Sequence, residues 1–94
     1  MVTLFVKHMV KNYGDWKRAY DEFAPTRKKL GVTGASVHRD SGDRDRITVT
    51  HRFTDLAAAQ AFAGSEELRS AMHDAGVAGQ PDIWFAEDIE QTPF

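Results

Sequence analysis

Val2, Leu4, Val6, His8 and Val10 alternate with Thr3, Phe5, Lys7 and Met9, a period of two that predicts a strand with neither face plainly polar. Asn12-Tyr13-Gly14-Asp15 then reads as a turn, with Asp15 placed to cap a helix. That helix carries Trp16, Ala19, Tyr20, Phe23 and Leu30 on one face and ends at Gly31. Pro25 lies inside it, where a missing N–H predicts a bend or a split at Phe23-Ala24. Residues 32–39 and 46–53 are two further strand-like runs around the turn-rich hexapeptide Asp40-Ser41-Gly42-Asp43-Arg44-Asp45, which reads as a hairpin loop. Thr54 and Asp55 cap a second helix over residues 56–63. Gly64-Ser65 interrupts it, and Ser65 with Glu66 and Glu67 restarts it with Leu68, Ala71, Met72 and Ala75 as its apolar stripe. Gly76 stops it, Gly79-Gln80-Pro81-Asp82 reads as a connector, and residues 83–89 form the last strand.

The order is β-α-β-β-α-β, a ferredoxin-like α+β arrangement with an antiparallel four-stranded sheet. Its right-handed crossovers put both helices on one face. The other face then carries Phe5, Met9, Ala35, Val37 and Trp84, an apolar set too large to leave in water. A second copy of the chain is the simplest cover, so the sequence predicts a homodimer with sheets packed face to face.

At 94 residues the chain fits one domain spanning residues 1–94, and a domain of this size gains from added burial through association. Its hydrophobic fraction of 41% and charged fraction of 28% set it apart from disordered and fibrous chains. A net charge of −2 with interspersed signs offers no basic face to a phosphate backbone, so no nucleic-acid partner is expected. No segment is long enough to span a membrane. The absence of cysteine excludes disulfides, thiolate metal sites and a thiol nucleophile, and fits a cytoplasmic location.

Several segments carry a resemblance over nearly the whole chain: Val6-Lys7-His8, Asp15-Trp16-Lys17, Arg27-Lys28-Lys29-Leu30-Gly31, Ser65-Glu66-Glu67-Leu68-Arg69 with Ala71-Met72, and Pro81-Asp82-Ile83-Trp84-Phe85. In these the chain resembles the dimeric α/β-barrel superfamily, and within it the small bacterial proteins grouped with antibiotic biosynthesis monooxygenases. The superfamily includes oxygenases, haem-degrading enzymes, polyketide cyclases, isomerases and members with no known activity, so the likeness speaks to fold more than to chemistry. The haem degraders' strand-one asparagine is His8 here, their helix-two tryptophan falls on Phe62, and their histidine ligand is displaced by one position at His73. The olivetolic-acid type of cyclase uses a tyrosine and a histidine in a region that reads Ala63-Gly64-Ser65-Glu66-Glu67-Leu68 in this chain. Neither pair carries over.

Strand parity sends His8, His38 and His51 to the helix-covered face with Val6, Ser36, Ile47 and Val49. Pairing across the hairpin sets His38 near Ile47 and Gly34 near His51, so His8 and His38 flank Ile47 about 10 Å apart, with His51 about 13 Å further on. Such spacing cannot close on one metal ion, and no metal site is expected. Trp16, Tyr20 and Phe23 on the first helix, with Phe85 from the last strand, suit either core packing or the wall of a pocket for a planar aromatic molecule. Slipping the last strand by one residue would exchange Phe85 for Trp84.

The catalytic candidates are His8 as general base, with His38 and Tyr20 as hydrogen-bonding groups, while Trp16, Phe23, His51 and Phe85 are the candidates for substrate contact. With the resemblance, this implies a cofactor-independent monooxygenase, with no metal, haem or flavin, acting on an aromatic or polyketide-like small molecule. A cyclase or isomerase using the same base, and a non-catalytic ligand-binding or stress-associated dimer, stay open.

Overall fold

The computed structural model describes residues 1–94. Its elements run β1 (Val2–Val10), α1 (Tyr13–Glu22), α2 (Ala24–Lys29), β2 (Gly34–Arg39), β3 (Arg46–Phe53), α3 (Leu56–Ala63), α4 (Glu66–Asp74) and β4 (Val77–Glu87). The four strands form one antiparallel sheet in the order β2-β3-β1-β4. Four helices lie over one face, giving a two-layer slab of 33 × 33 × 21 Å. This is the ferredoxin-like order with each helix divided in two.

Local chemistry accounts for the divisions. Pro25 sits in the first turn of α2, where its lost N–H costs nothing, and Phe23 ends α1. The second division follows Gly64, after which the Ser65 hydroxyl accepts from the Leu68 N–H at 3.1 Å and starts α4. Asp55 caps α3 through the Ala58 N–H at 2.8 Å. At α1 the cap is Asn12, whose side chain accepts from the Asp15 N–H at 2.9 Å. Asp15 is therefore one turn too late to be the cap, and instead places a negative charge at the helix start. Gly31 and Gly76 close α2 and α4 at φ of 102° and 78°, where a side chain would be strained.

Two stretches depart from the sequence expectation. Residues 79–82 are not a connector but belong to β4, which begins at Val77 and ends at Glu87, before the expected Ile89. A bulge opposite His8 absorbs the extra residues, since pairing shifts between Lys7↔Asp82 and Met9↔Ala78. The second departure is in the hairpin. His38 pairs with Thr48 and Ala35 with His51, one residue away from the expected register, and a slip of one turns every β2 side chain over. The reason is visible in the pairs: Val37 faces Val49 on the core side, while Ser36 bonds Thr50 on the open side. The loop holds this register through its own aspartates, as Asp40 and Asp43 accept from the N–H groups of Gly42 and Asp45.

The open face consequently carries Phe5, Met9 and Trp84, but Ala35 and Val37 are turned to the helices. Phe5 and Trp84 stack with ring centroids 5.2 Å apart, and beside them runs a hydroxyl row of Ser36, Thr48 and Thr50. On the covered side the core falls into two clusters. One holds Val2, Leu4, Val6, Phe53, Phe62 and Leu68; the other holds Val10, Trp16, Ile47, Val49 and Ala75.

Candidate functional site

A cavity of about 40 Å³ lies at the seam between the two clusters. Val6 and Val49 form its floor on the sheet, and α1 and α4 supply Trp16, Ala19, Tyr20, Leu68, Ala71, Met72 and Ala75, with Phe23 just beyond α1. The polar side chains on its wall are His8, His51 and Arg27, besides the phenol of Tyr20. A volume of 40 Å³ suits water and not a ring system, because benzene occupies a cavity of roughly 150 Å³.

Both histidines reach the cavity because they occupy inward positions of adjacent strands: His8 pairs with Ile47 and His51 with Leu4. His8 is 6% exposed and its ring meets that of Trp16 at 5.7 Å. His51 is 4% exposed and lies 5.0 Å from the Phe62 ring. Neither Nδ1 has a hydrogen-bond partner. Burial lowers the pKa of His8, with main-chain groups of His8 and Met9 opposing the shift. Burial together with the Arg27 cation lowers that of His51 to about 4. Both imidazoles are thus neutral at pH 7, each with a free ring nitrogen in an apolar enclosure. A neutral imidazole beside a bound phenol or acidic C–H can accept its proton.

The His51 shift has a measurable sign. Between the unfolded value of 6.5 and about 4, the unfolded chain takes up a proton at this residue that the folded chain does not, so stability falls as pH falls. The window is worth about 3 kcal/mol, at about 1.4 kcal/mol per pH unit. Denaturant midpoints at pH 7 and pH 4.5 should show most of this loss in the native protein and a smaller loss, that of His8 and the remaining groups, in His51→Leu. An equal loss in both would remove the assignment.

Arg27, part of a segment that carries the family resemblance, is not among the site candidates read from the sequence. It is 8% exposed, lies over the Tyr20 ring at 3.7 Å, and donates from one terminal nitrogen to the Tyr20 carbonyl at 3.1 Å. Its Nε is buried without a partner, and none of the ion pairs in the molecule includes it. In sequence it stands beside Lys28 and Lys29 and reads as one of three solvated cations; only the packing of α2 separates it from them.

Trp16, Tyr20, Phe23, His8 and His51 are therefore brought to one cavity, Trp16 and Tyr20 stacked at 5.1 Å. Two candidates are not. His38 lies on the open face, exposed, with Nε2 2.9 Å from the Ser36 hydroxyl, because the β2 register is shifted by one. Phe85 pairs with Leu4 and so has the expected parity, but β4 is an edge strand, and the side chain is 37% exposed and outside the cavity wall. No group of three His, Asp or Glu side chains converges as a metal site would require.

A ferredoxin-like sheet covered on one face by helices, with an aromatic-lined cavity between the layers, defines the fold class of the protein. Residues 13–74, about two thirds of the chain, match the family model for antibiotic biosynthesis monooxygenase, and the chain belongs to that family. No curated protein shows a significant sequence match. Among solved structures, a Bordetella bronchiseptica protein assigned to the antibiotic biosynthesis monooxygenases superposes with a TM-score of 0.82 at 14% identity, over 95% of this chain and 97% of its own. SnoaB, a cofactor-independent oxygenase from Streptomyces nogalater, is similar with a TM-score of 0.78 at 10% identity, over 99% of this chain and 97% of its own. A Caulobacter crescentus protein of the same assignment gives 0.75 at 15% identity, over 95% and 90%. At such identities the likeness is one of fold.

Proposed function

We propose that this is a cytoplasmic, homodimeric, cofactor-independent monooxygenase acting on an aromatic or polyketide-like small molecule, with His8 as base. The observation that carries the reading is the pairing of two buried, neutral histidines, each with a free Nδ1, with an aromatic wall of Trp16, Tyr20 and Phe23 around one cavity. Such a pocket can take a proton from an electron-rich substrate in a dry setting, and the anion so formed can reduce dioxygen itself. For an anthrone the balance is one dioxygen consumed, one oxygen atom placed on the ring carbon, and the other released as water with the two hydrogens lost. Trp16 holds the ring plane, and His51 offers a second polar contact.

An oxygen electrode with a panel of anthrones and quinols tests this, in protein shown free of metal, haem and flavin by metal analysis and a visible spectrum. Protein-dependent uptake with a product that gains one oxygen and loses two hydrogens is the expected result. Conversion without oxygen uptake or mass change would replace it with a cyclase or isomerase.

The dimer rests on the face opposite the helices, where the Phe5-Trp84 stack is left partly open, with Trp84 42% exposed. Light scattering at micromolar concentration should give twice the chain mass of 10.5 kDa. A monomer at that concentration would leave the stack without a partner and end the claim.

A further inference from the structure

Arg27 is a buried cation with no counter-ion, set in the wall of an otherwise apolar cavity. Guanidinium offers five N–H donors in a planar fork, and the Tyr20 carbonyl is the only hydrogen-bond acceptor that the Arg27 side chain has within the chain. Burying a charge without a partner is costly. Stacking on the Tyr20 ring offsets part of that cost, but it leaves the edge of the fork unused. Two neutral imidazoles nearby add no compensating negative charge.

The cavity must also enlarge to hold a ring, and the structure shows where. Tyr20 and Arg27 line both the cavity and an outer groove of about 540 Å³ that runs past Lys28 to Gly34 and Ala35. Their stacked pair is the partition between the two spaces. The cavity also abuts a crevice between α1 and α4, through Ala19, Phe23 and Ala71, but that crevice is rimmed by Glu22 and Asp74. One approach is basic and the other acidic.

We infer that the ligand of this site is an aromatic carboxylate, bound with its carboxylate on the Arg27 fork and its ring in the cavity opened by displacing Tyr20, and admitted from the Lys28 side. This rests on the pocket being a binding site for aromatic small molecules, as proposed above, and adds the charge and the direction of approach. A carboxylate matches the guanidinium edge in two parallel hydrogen bonds. The acidic rim of the α1–α4 crevice repels the same ligand.

Titration calorimetry with 2-naphthoate and its uncharged counterpart 2-naphthalenemethanol, at pH 7.5 and low salt, tests the charge. The carboxylate should bind about ten- to a hundredfold more tightly. Arg27→Met, which keeps the stem and drops the fork, should bring the two probes to within about threefold of one another. Arg27→Lys should retain a reduced preference, and serves as the reading if the Met variant does not fold. Because the readout is the ratio of two probes, a general loosening of the pocket would not move it.

Stopped-flow association of 2-naphthoate tests the route: Lys28→Glu should slow it about threefold or more, while the double variant Glu22→Gln, Asp74→Asn should leave it within about twofold of the native rate. Equal binding of the two probes overturns the carboxylate inference and leaves the aromatic pocket standing. Full preference retained in Arg27→Met overturns the role of Arg27. Association that is unchanged in Lys28→Glu and faster in the Glu22→Gln, Asp74→Asn variant overturns the route, and no binding of either probe overturns both the inference and the pocket reading beneath it.

Discussion

Replacing His8 with Ala is expected to lower turnover of a true substrate by about 10²- to 10⁴-fold, the range for loss of a positioned general base. The residue has the properties such a base needs. It is held on a central strand, its ring lies against Trp16, its Nδ1 is free, and burial keeps it unprotonated at neutral pH. The β4 bulge opposite it relaxes the pairing at that one residue, which is where a sheet can aim a side chain differently from its neighbours. The loss should fall on kcat, since the base acts in the transition state more than in binding. The acid limb of the native rate profile should lie below pH 6.5, following the lowered pKa. Unchanged kcat in the variant, with the fold preserved, would retire His8 as the base. Suspicion would then move to His51, because His38 is on the other side of the sheet.

The second large effect is on stability. Phe62→Ala should destabilise the protein by about 3–5 kcal/mol, read from the denaturant midpoint at fixed protein concentration. Phe62 is 1% exposed and joins α3 to β3 and to the α1–α2 junction, meeting Phe53 at 5.5 Å, His51 at 5.0 Å and Phe23 at 6.4 Å. No neighbour can fill the gap without leaving its own contact, so the cavity term adds to the lost transfer energy. Against a net stability of about 5–15 kcal/mol for a domain, that is a large share. Leu56→Ala, on the same helix but 45% exposed, should cost less than about 1 kcal/mol. Similar costs for the two would mean that Phe62 is not the keystone its contacts suggest.

The parts of the fold that were legible from the sequence are those written in local chemistry. Pro25, Gly64-Ser65 and Asp55 mark helix breaks and starts through backbone hydrogen bonds that any reader can count. Strand β1 and its pairing with β3 followed from alternation and chain order. The register of β2 did not, because Gly34 to Arg39 has small or polar residues at both parities and only Val37 decides between them. A single apolar residue is a weak signal against a six-residue loop. That one position moved His38 out of the site. Phe85 had the right parity and the wrong depth, since alternation says which face a side chain takes and nothing about distance from the sheet edge. Arg27 was hidden for the opposite reason: in a run of three cations, sequence alone does not show which one folds back onto Tyr20 of the preceding helix.

The stacked Tyr20 and Arg27 side chains have a thermodynamic consequence. A cavity of about 40 Å³ admits no ring, so on the proposed reading binding waits for the molecules in which that pair has parted. The apparent dissociation constant is the intrinsic one divided by the open fraction, and each tenfold rarity of the open form takes about 1.4 kcal/mol from the intrinsic binding energy. The same closure returns when product leaves, which favours quick release over tight retention. Such a site suits a catalyst that must turn over better than it suits a carrier that must hold.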